Sequence, residues 1–185
     1  MKKKTVAVLF GGQSTKHEIS CLSAVTIIQN IDREQYDLLL IGITRDGRWL
    51  KTNSIEEIQS GSWVGGTTRA ILSPDAGHKG GLLLEDGRVQ LFPLDVVFPV
   101  LHGARGEDGT VQGLLELAEI PYVGCGVLAS AVTMDKLYTK ILVSTLGIRQ
   151  ADYELVYKNE LSGQNAIESV IRRNEGRLAY QVFVT

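Results

Sequence analysis

A glycine-rich loop at residues 11–18, Gly-Gly-Gln-Ser-Thr-Lys-His-Glu, carries the first side chains that could bind a small molecule. It separates an apolar run from a helical pattern, so its backbone N–H groups and the positive end of the helix would face a ligand. Ligands of open α/β sheets bind at this end of the strands. A purely structural interpretation stays open, with Ser14 or Thr15 capping the helix and Glu18 as capping-box partner. A dinucleotide site is not supported, because the loop lacks G-x-G-x-x-G.

A second loop, at residues 101–110, places His102 directly after another apolar run and follows it with Glu107 and Asp108. An imidazole at the carboxyl end of a strand can donate a hydrogen bond to a bound carboxylate or relay a proton near it. Glu107 and Asp108 precede a helical pattern, where capping or bracing the loop is the alternative to a chemical role. His102 could equally be a structural histidine.

A third candidate is Lys136, within the polar stretch at residues 133–140. A lysine on this predicted helix could reach a phosphate group, whereas a solvated helix face is the structural alternative. None of the three histidines forms a pair with the spacing of metal ligands.

Hydrophobic periodicity predicts the elements that position these side chains. A strand, a helix with apolar residues in steps of three and a second strand predict a βαβ unit near the amino terminus. Two hairpins elaborate the region that follows. The sequence therefore predicts an open, mostly parallel α/β sheet. The expected strands are 5–10, 36–43, 95–101, 153–157 and 180–184, and the expected helices are 18–31, 55–59, 110–118, 128–146 and 165–173.

Composition limits the classes of protein to which the chain could belong. The net charge is −2 and the longest basic run is three lysines at residues 2–4, which predicts no nucleic-acid surface. Cys21 and Cys125 form no metal pattern, and we interpret both as buried, reduced thiols. No apolar stretch is long enough for a membrane span or a signal sequence. We therefore expect a cytoplasmic protein without membrane partners.

Four motifs, in register along residues 5 to about 157, resemble those of the D-alanine–D-alanine ligase family. They are VAVLFGG at 6–12 followed by HEIS at 17–20, LHG at 101–103 with GEDGTVQG at 106–113, PYVGCG at 121–126, and SAVTMDK at 130–136. Ligases that make D-alanyl–D-lactate or D-alanyl–D-serine share these motifs, so the second substrate stays open.

The resemblance implies a fold, a reaction and roles for three residues. The fold would be a Rossmann-like, pre-ATP-grasp substrate domain at residues 1–124, followed by the incomplete start of an ATP-grasp α+β domain at 125–185. The reaction would use ATP and Mg²⁺ (or Mn²⁺) to join two D-alanines for peptidoglycan. Glu18 would pair with the ammonium of the first D-alanine, His102 would lie beside its carboxylate, and Lys136 would reach the ATP phosphates. The resemblance also implies a homodimer through the amino-terminal domain.

One departure from the family pattern affects the expected activity. Where the family continues with a nucleotide-binding lysine after its last strand, this sequence has Thr185. We therefore expect these 185 residues to be a ligase fragment that is inactive alone. A non-catalytic amino-acid-binding module and an unrelated flavodoxin-like domain are the alternatives, and the histidine and lysine motifs weigh against the second.

Overall fold

A computed structural model describes residues 2–178. The strands are β1 (Lys4–Gly11), β2 (Tyr36–Ile43), β3 (Trp49–Thr52), β4 (Arg69–Leu72), β5 (Gly80–Glu85), β6 (Arg88–Pro93) and β7 (Val96–Pro99). The helices are α1 (His17–Asn30), α2 (Ile55–Ser60), α3 (Thr110–Leu117), α4 (Val127–Met134), α5 (Lys136–Thr145) and α6 (Gln164–Leu178), with short 3₁₀ turns at Ser62–Gly65 and Lys158–Leu161. No helix within this range is long and apolar enough to cross a bilayer.

The strands form one seven-stranded sheet in the order β6-β5-β4-β3-β2-β1-β7. The mixed α/β class is confirmed, but the prediction of a mostly parallel sheet is wrong. Only β1–β2 and β1–β7 are parallel, and the other four neighbouring pairs are antiparallel. The reason is that the turns after β2 and β5 join antiparallel neighbours, and β4 pairs antiparallel with both β3 and β5, so all these strands extend the same sheet. β4 was not predicted from the sequence at all.

The parallel part of the sheet is buried on both faces, which explains the continuous apolar run in β1. Val6, Val8 and Phe10 pack in one hydrophobic cluster with Ala24, Val25 and Ile28 of α1. Ala7 and Leu9 point the opposite way and pack with Val111 and Leu115 of α3. Since successive side chains of a strand alternate between faces, α1 and α3 cover opposite faces of the sheet.

The chain divides into two compact units, Met1–Met134 and Asp135–Thr185. The whole sheet lies in the first unit. In the second, α5 has no buried residue, and side-chain bonds hold the segment that follows it. Lys140 Nζ lies 4.8 Å above the Tyr153 ring, and Arg173 pairs with Glu154 at 3.1 Å and Glu160 at 2.8 Å. The domain boundary predicted after residue 124 stays a prediction.

Three other predictions concern the carboxyl-terminal part of the chain. The single helix predicted at 128–146 is two helices, because Asp135 is extended and its carboxylate accepts hydrogen bonds from two N–H groups of α5 at 2.9 and 3.2 Å. The strand predicted at 153–157 is not formed, since no described strand pairs with this segment. The strand predicted at 180–184 and Thr185 lie outside the described residues.

The prediction that both cysteines are buried is wrong for Cys125 and only partly correct for Cys21. Cys21 is half-buried on α1, and burial, with a smaller effect of the Glu18 carboxylate, raises the pKa of its thiol to about 11. Cys125 is exposed, because it lies in the loop that precedes α4 rather than in an element packed on the sheet.

Candidate functional site

The loops after β1, β2 and β7 meet at the carboxyl edge of the parallel strands. Gln13, in the loop after β1, accepts a hydrogen bond from Arg105 in the loop after β7. On its other side Gln13 packs against the turn after β2, where a Cβ added to Gly47 would lie 2.8 Å from its Oε1. The three loops are therefore in contact with one another at the edge where open α/β sheets bind ligands.

Ser20, a fully buried residue of α1, connects two of these strand ends. Its hydroxyl donates to the carbonyl of Val100, just after β7, and accepts the N–H of Gly11, the last residue of β1, at 2.8 Å. One hydroxyl thus satisfies a backbone acceptor and a backbone donor on neighbouring strands. The two loops begin from fixed positions as a result.

His102 is fixed through its backbone carbonyl, and each of its ring nitrogens has a polar neighbour. The hydroxyl of Ser14 donates to the His102 carbonyl at 2.6 Å. Ser23 Oγ lies 3.4 Å from the ring Nε2, and Glu107 Oε1 lies 3.9 Å from Nδ1. The ring is about one-third exposed, at 31%. It therefore lies against α1, on that helix's side of the sheet, with a face still open to solvent.

The two acidic residues of the second loop brace its backbone, as the structural alternative predicted. Glu107 accepts the Gly103 N–H at 2.5 Å, and Asp108 accepts the N–H groups of Arg105 at 2.7 Å and Thr110 at 3.0 Å. Partial burial alone would raise the pKa of Asp108, but these hydrogen bonds hold it below its ordinary value. Both carboxylates are committed to the shape of the loop around His102.

The first loop does not cap α1 in the way that the sequence predicted. The residue before α1 is Lys16, without a side-chain capping bond. Ser14 instead accepts the Lys16 N–H at 3.0 Å while donating to the His102 carbonyl. The predicted capping box of Ser14 or Thr15 with Glu18 is therefore wrong, because this serine binds the neighbouring loop and Glu18 points elsewhere.

Glu18, in the first turn of α1, is exposed and forms an ion pair with Arg45 of the loop after β2. The hydrogen bond from Arg45, with help from the helix backbone, lowers the pKa of Glu18, so its carboxylate is ionised at neutral pH. Both residues line a cavity of about 680 Å³ whose apolar part includes Leu22, Val25 and Trp63. That volume is typical of pockets for small molecules (about 300–1,000 Å³).

Glu18 and His102 lie on the same side of the sheet but against different neighbours. Glu18 and Ser23, the residue that His102 contacts, are separated by about 7.5 Å along the axis of α1 and about 140° around it. The described lining of the cavity includes Glu18 and not His102. The structure thus brings both residues to one helix without joining them in one pocket.

Comparison with known proteins decides the family of the chain. The model of the family described as the D-ala D-ala ligase N-terminus matches residues 5–125. The chain belongs to this family. It is 51% identical over 185 residues to the D-alanine–D-alanine ligase of Caldicellulosiruptor bescii, and 48% identical over 194 residues to that of Ruminiclostridium cellulolyticum. The whole chain is covered in both comparisons but only 50% and 51% of the relatives, so it spans about half of their length.

Solved structures of similar proteins agree with this membership. The VanG D-Ala:D-Ser ligase from Enterococcus faecalis is 37% identical, with a TM-score of 0.80 over 97% of this chain and 50% of that one. The D-alanine–D-alanine ligase from Coxiella burnetii is 36% identical, with a TM-score of 0.77 over 95% and 50%.

Lys136, the third residue predicted for this member of the ligase family, lies in the second unit. It is the first residue of α5, it is exposed, and the preceding Asp135 caps the helix. Because the Asp135 carboxylate occupies two N–H groups at this helix end, the exposed Lys136 ammonium is the group there that could contact a phosphate. No group of three His, Cys, Asp or Glu side chains within residues 2–178 could hold a metal ion.

Two residues of this site were missed from the sequence. Arg45 follows β2, the parallel neighbour of β1, and its position after a parallel strand was the signal that could have found it. Ser20 belongs to the HEIS motif, but nothing local shows that its hydroxyl bonds to residues 9 positions before it and 80 positions after it.

Proposed function

We propose that the protein to which these residues belong is an ATP-dependent D-alanine–D-alanine ligase, and that the first unit contributes the site of the first D-alanine. The observation that carries the proposal is the convergence of the loops after β1 and β7 beside α1, with an ionised Glu18 and a partly open His102 at one edge. Family membership supports the reaction. We also propose that residues 1–124 are a Rossmann-like, pre-ATP-grasp domain and that 125–185 begin an ATP-grasp domain.

Each proposed role matches the chemistry of the side chain. Glu18 binds the ammonium of the first amino acid, since an exposed carboxylate is a natural partner for a cation. His102, whose ring is positioned by Ser23 and Glu107, lies beside the carboxylate that is activated. Lys136 neutralises phosphate charge from the second unit.

ATP supplies the phosphoryl group that activates this carboxylate, and Mg²⁺ (or Mn²⁺) screens the phosphates. The residues described here fit only part of that requirement. Lys136 is exposed and could contact a phosphate, whereas residues 2–178 offer no cluster of metal ligands. We therefore assign no step to a metal through these residues.

Binding of D-alanine tests the role of Glu18. The measurement is calorimetry with the protein expressed from its complete reading frame, comparing wild type with Glu18→Gln. We expect binding to weaken about ten- to a hundred-fold, because a charge-assisted hydrogen bond is lost. Glu34→Gln is the matched control. It removes the same charge from a position just before β2, whereas Glu18 pairs with Arg45 just after β2. Equal affinities in wild type and Glu18→Gln would show that the ammonium binds elsewhere.

A D-alanine–D-serine ligase is the second candidate function, and the similarity to the VanG D-Ala:D-Ser ligase favours it. The two functions differ in the second substrate. Phosphate release with D-alanine alone, compared with D-alanine plus D-serine, separates them, and chromatography identifies the dipeptide. A mixed dipeptide as the main product would replace our first proposal with the second.

The proposal extends to the behaviour of these residues by themselves. Because they span about half the length of the relatives, we expect the 185-residue chain to release no phosphate from ATP with D-alanine. Robust turnover would contradict this. We also propose a homodimer through the first unit, measurable by sedimentation, and a cytoplasmic location.

A further inference from the structure

The Glu18 carboxylate, which the proposed function assigns to a substrate ammonium, already has a cationic partner in the free protein. Arg45 Nη2 donates to Glu18 Oε1 across the gap between the turn after β2 and α1. Both side chains are more than half exposed, at 58% and 65%. An ion pair of this kind contributes little to stability, so another cation can exchange with it.

Backbone hydrogen bonds stabilise the turn that carries Arg45 and so fix the position of its Cα beside α1. Thr44 N–H donates to the Arg48 carbonyl at 2.8 Å, and Gly47 N–H donates to the Thr44 carbonyl at 2.9 Å. Arg48 is bound by Asp46 at 2.9 Å and leaves Arg45 to Glu18. The backbone of Arg45 is therefore fixed close to Glu18, whereas its exposed side chain is able to move away.

We propose that Arg45 is an internal competitor for the amino group of the substrate, and that its displacement from Glu18 sets the affinity for the first amino acid. The inference rests on the proposed role of Glu18. The ammonium and the guanidinium would lie within a few ångströms of each other around one carboxylate, where two positive charges repel. Binding of the amino acid then requires Arg45 to release Glu18, and the free energy of the ion pair is subtracted from that of binding.

The geometry of α1 gives a second reason for release. Glu18 now points to the cavity, while His102 contacts Ser23 about 140° further around the helix. A single amino acid held by Glu18 and His102 together needs the Glu18 side chain to turn away from that cavity. We expect the carboxylate to leave Arg45 when it makes that turn, so that release of the arginine and assembly of the site occur together.

A double-mutant cycle tests the inference with D-alanine as the probe and the protein from its complete reading frame. We expect Arg45→Gln to bind D-alanine about two- to five-fold more tightly, the factor that corresponds to an exposed ion pair. Arg45→Lys should restore most of the wild-type affinity, because it keeps the charge. Arg33→Gln, which removes an exposed arginine from the opposite end of β2, should leave the affinity unchanged. In the Glu18→Gln background, Arg45→Gln should have no further effect.

The outcomes separate this inference from the proposed function. If Glu18→Gln weakens binding but Arg45→Gln leaves it unchanged, the competition is overturned and the role of Glu18 stands. If Arg45→Gln weakens binding, the arginine contacts the substrate directly and the competition is again overturned. If Glu18→Gln itself has no effect, the proposed role of Glu18 fails and the inference fails with it.

Discussion

Replacement of Ser20 by alanine should destabilise the first unit more than replacement of an exposed residue of α1 by alanine. The Ser20 hydroxyl is fully buried, donates to the Val100 carbonyl and accepts the Gly11 N–H at 2.8 Å. Alanine leaves one acceptor and one donor unpaired in the interior, each at a cost of about 1–3 kcal/mol. Because the two groups share one small site, we expect about 3 kcal/mol in total, which lowers Tm by about 6–12 °C for a chain of this size.

Urea unfolding followed by tryptophan fluorescence measures this effect in the first unit alone, since both tryptophans, Trp49 and Trp63, belong to it. Ser23→Ala is the matched control on the same helix. Its hydroxyl lies 3.4 Å from a partly open ring rather than between buried backbone groups, so we expect a change below about 0.5 kcal/mol. An unfolding free energy for Ser20→Ala within about 0.5 kcal/mol of wild type would refute the view that this hydroxyl ties the strand ends together.

Two further predictions concern packing and thiol reactivity. Gly42→Ala should lower the free energy of unfolding by about 1–3 kcal/mol, because its Cβ would lie 2.4 Å from the buried Trp63 ring. Gly65→Ala is the control, since its Cβ would meet nothing within 4 Å. Thermal unfolding compares the two variants, and equal Tm values would contradict the predicted clash. Alkylation at pH 8 should modify the exposed Cys125 first, because a pKa of about 11 leaves only about one in a thousand Cys21 thiols ionised. Peptide mass spectrometry measures the rate at each cysteine. Faster modification of Cys21 would contradict its partial burial.

The local elements of the first unit could be predicted well from the sequence, because their signals are local. The apolar run of β1, the steps of three in α1 and the tight turns at Asp46-Gly47 and Asp86-Gly87 each depend on a few adjacent residues. The sheet as a whole could not. β4 is four residues long, and its pairing with β3 and β5 depends on residues outside the segment itself. This short strand joins the two hairpins into one sheet and makes most of its pairs antiparallel, but it has no sequence signal of its own.

The candidate site shows the same division between local and distant information. The glycine loop and His102 were predicted, since loops after buried strands carry function in open sheets. Their partners were not. Arg45 is 27 residues from Glu18, and Ser14 is 88 residues from His102. Contacts of this length follow from strand order, which the pattern of any one segment does not contain.

Within the HEIS motif, burial separates the structural residues from the one available for chemistry. His17 is buried and stacks on Trp63 at 5.9 Å. Its Nδ1 lies 2.8 Å from the Gly12 carbonyl, which can only accept, so Nδ1 carries the proton. Ser20 faces the same interior, one helical turn further on, and fixes the strand ends.

Glu18 alone among these three is exposed, which gives the motif two separable functions. Substitution of His17 or Ser20 acts through the shape of the loop after β1 and should change stability and binding together. Substitution of Glu18 removes an exposed carboxylate whose only described partner is Arg45, so it should change binding while leaving the fold intact. The ratio of the two effects, measured for each of the three positions, therefore distinguishes a residue that positions the site from one that contacts the substrate.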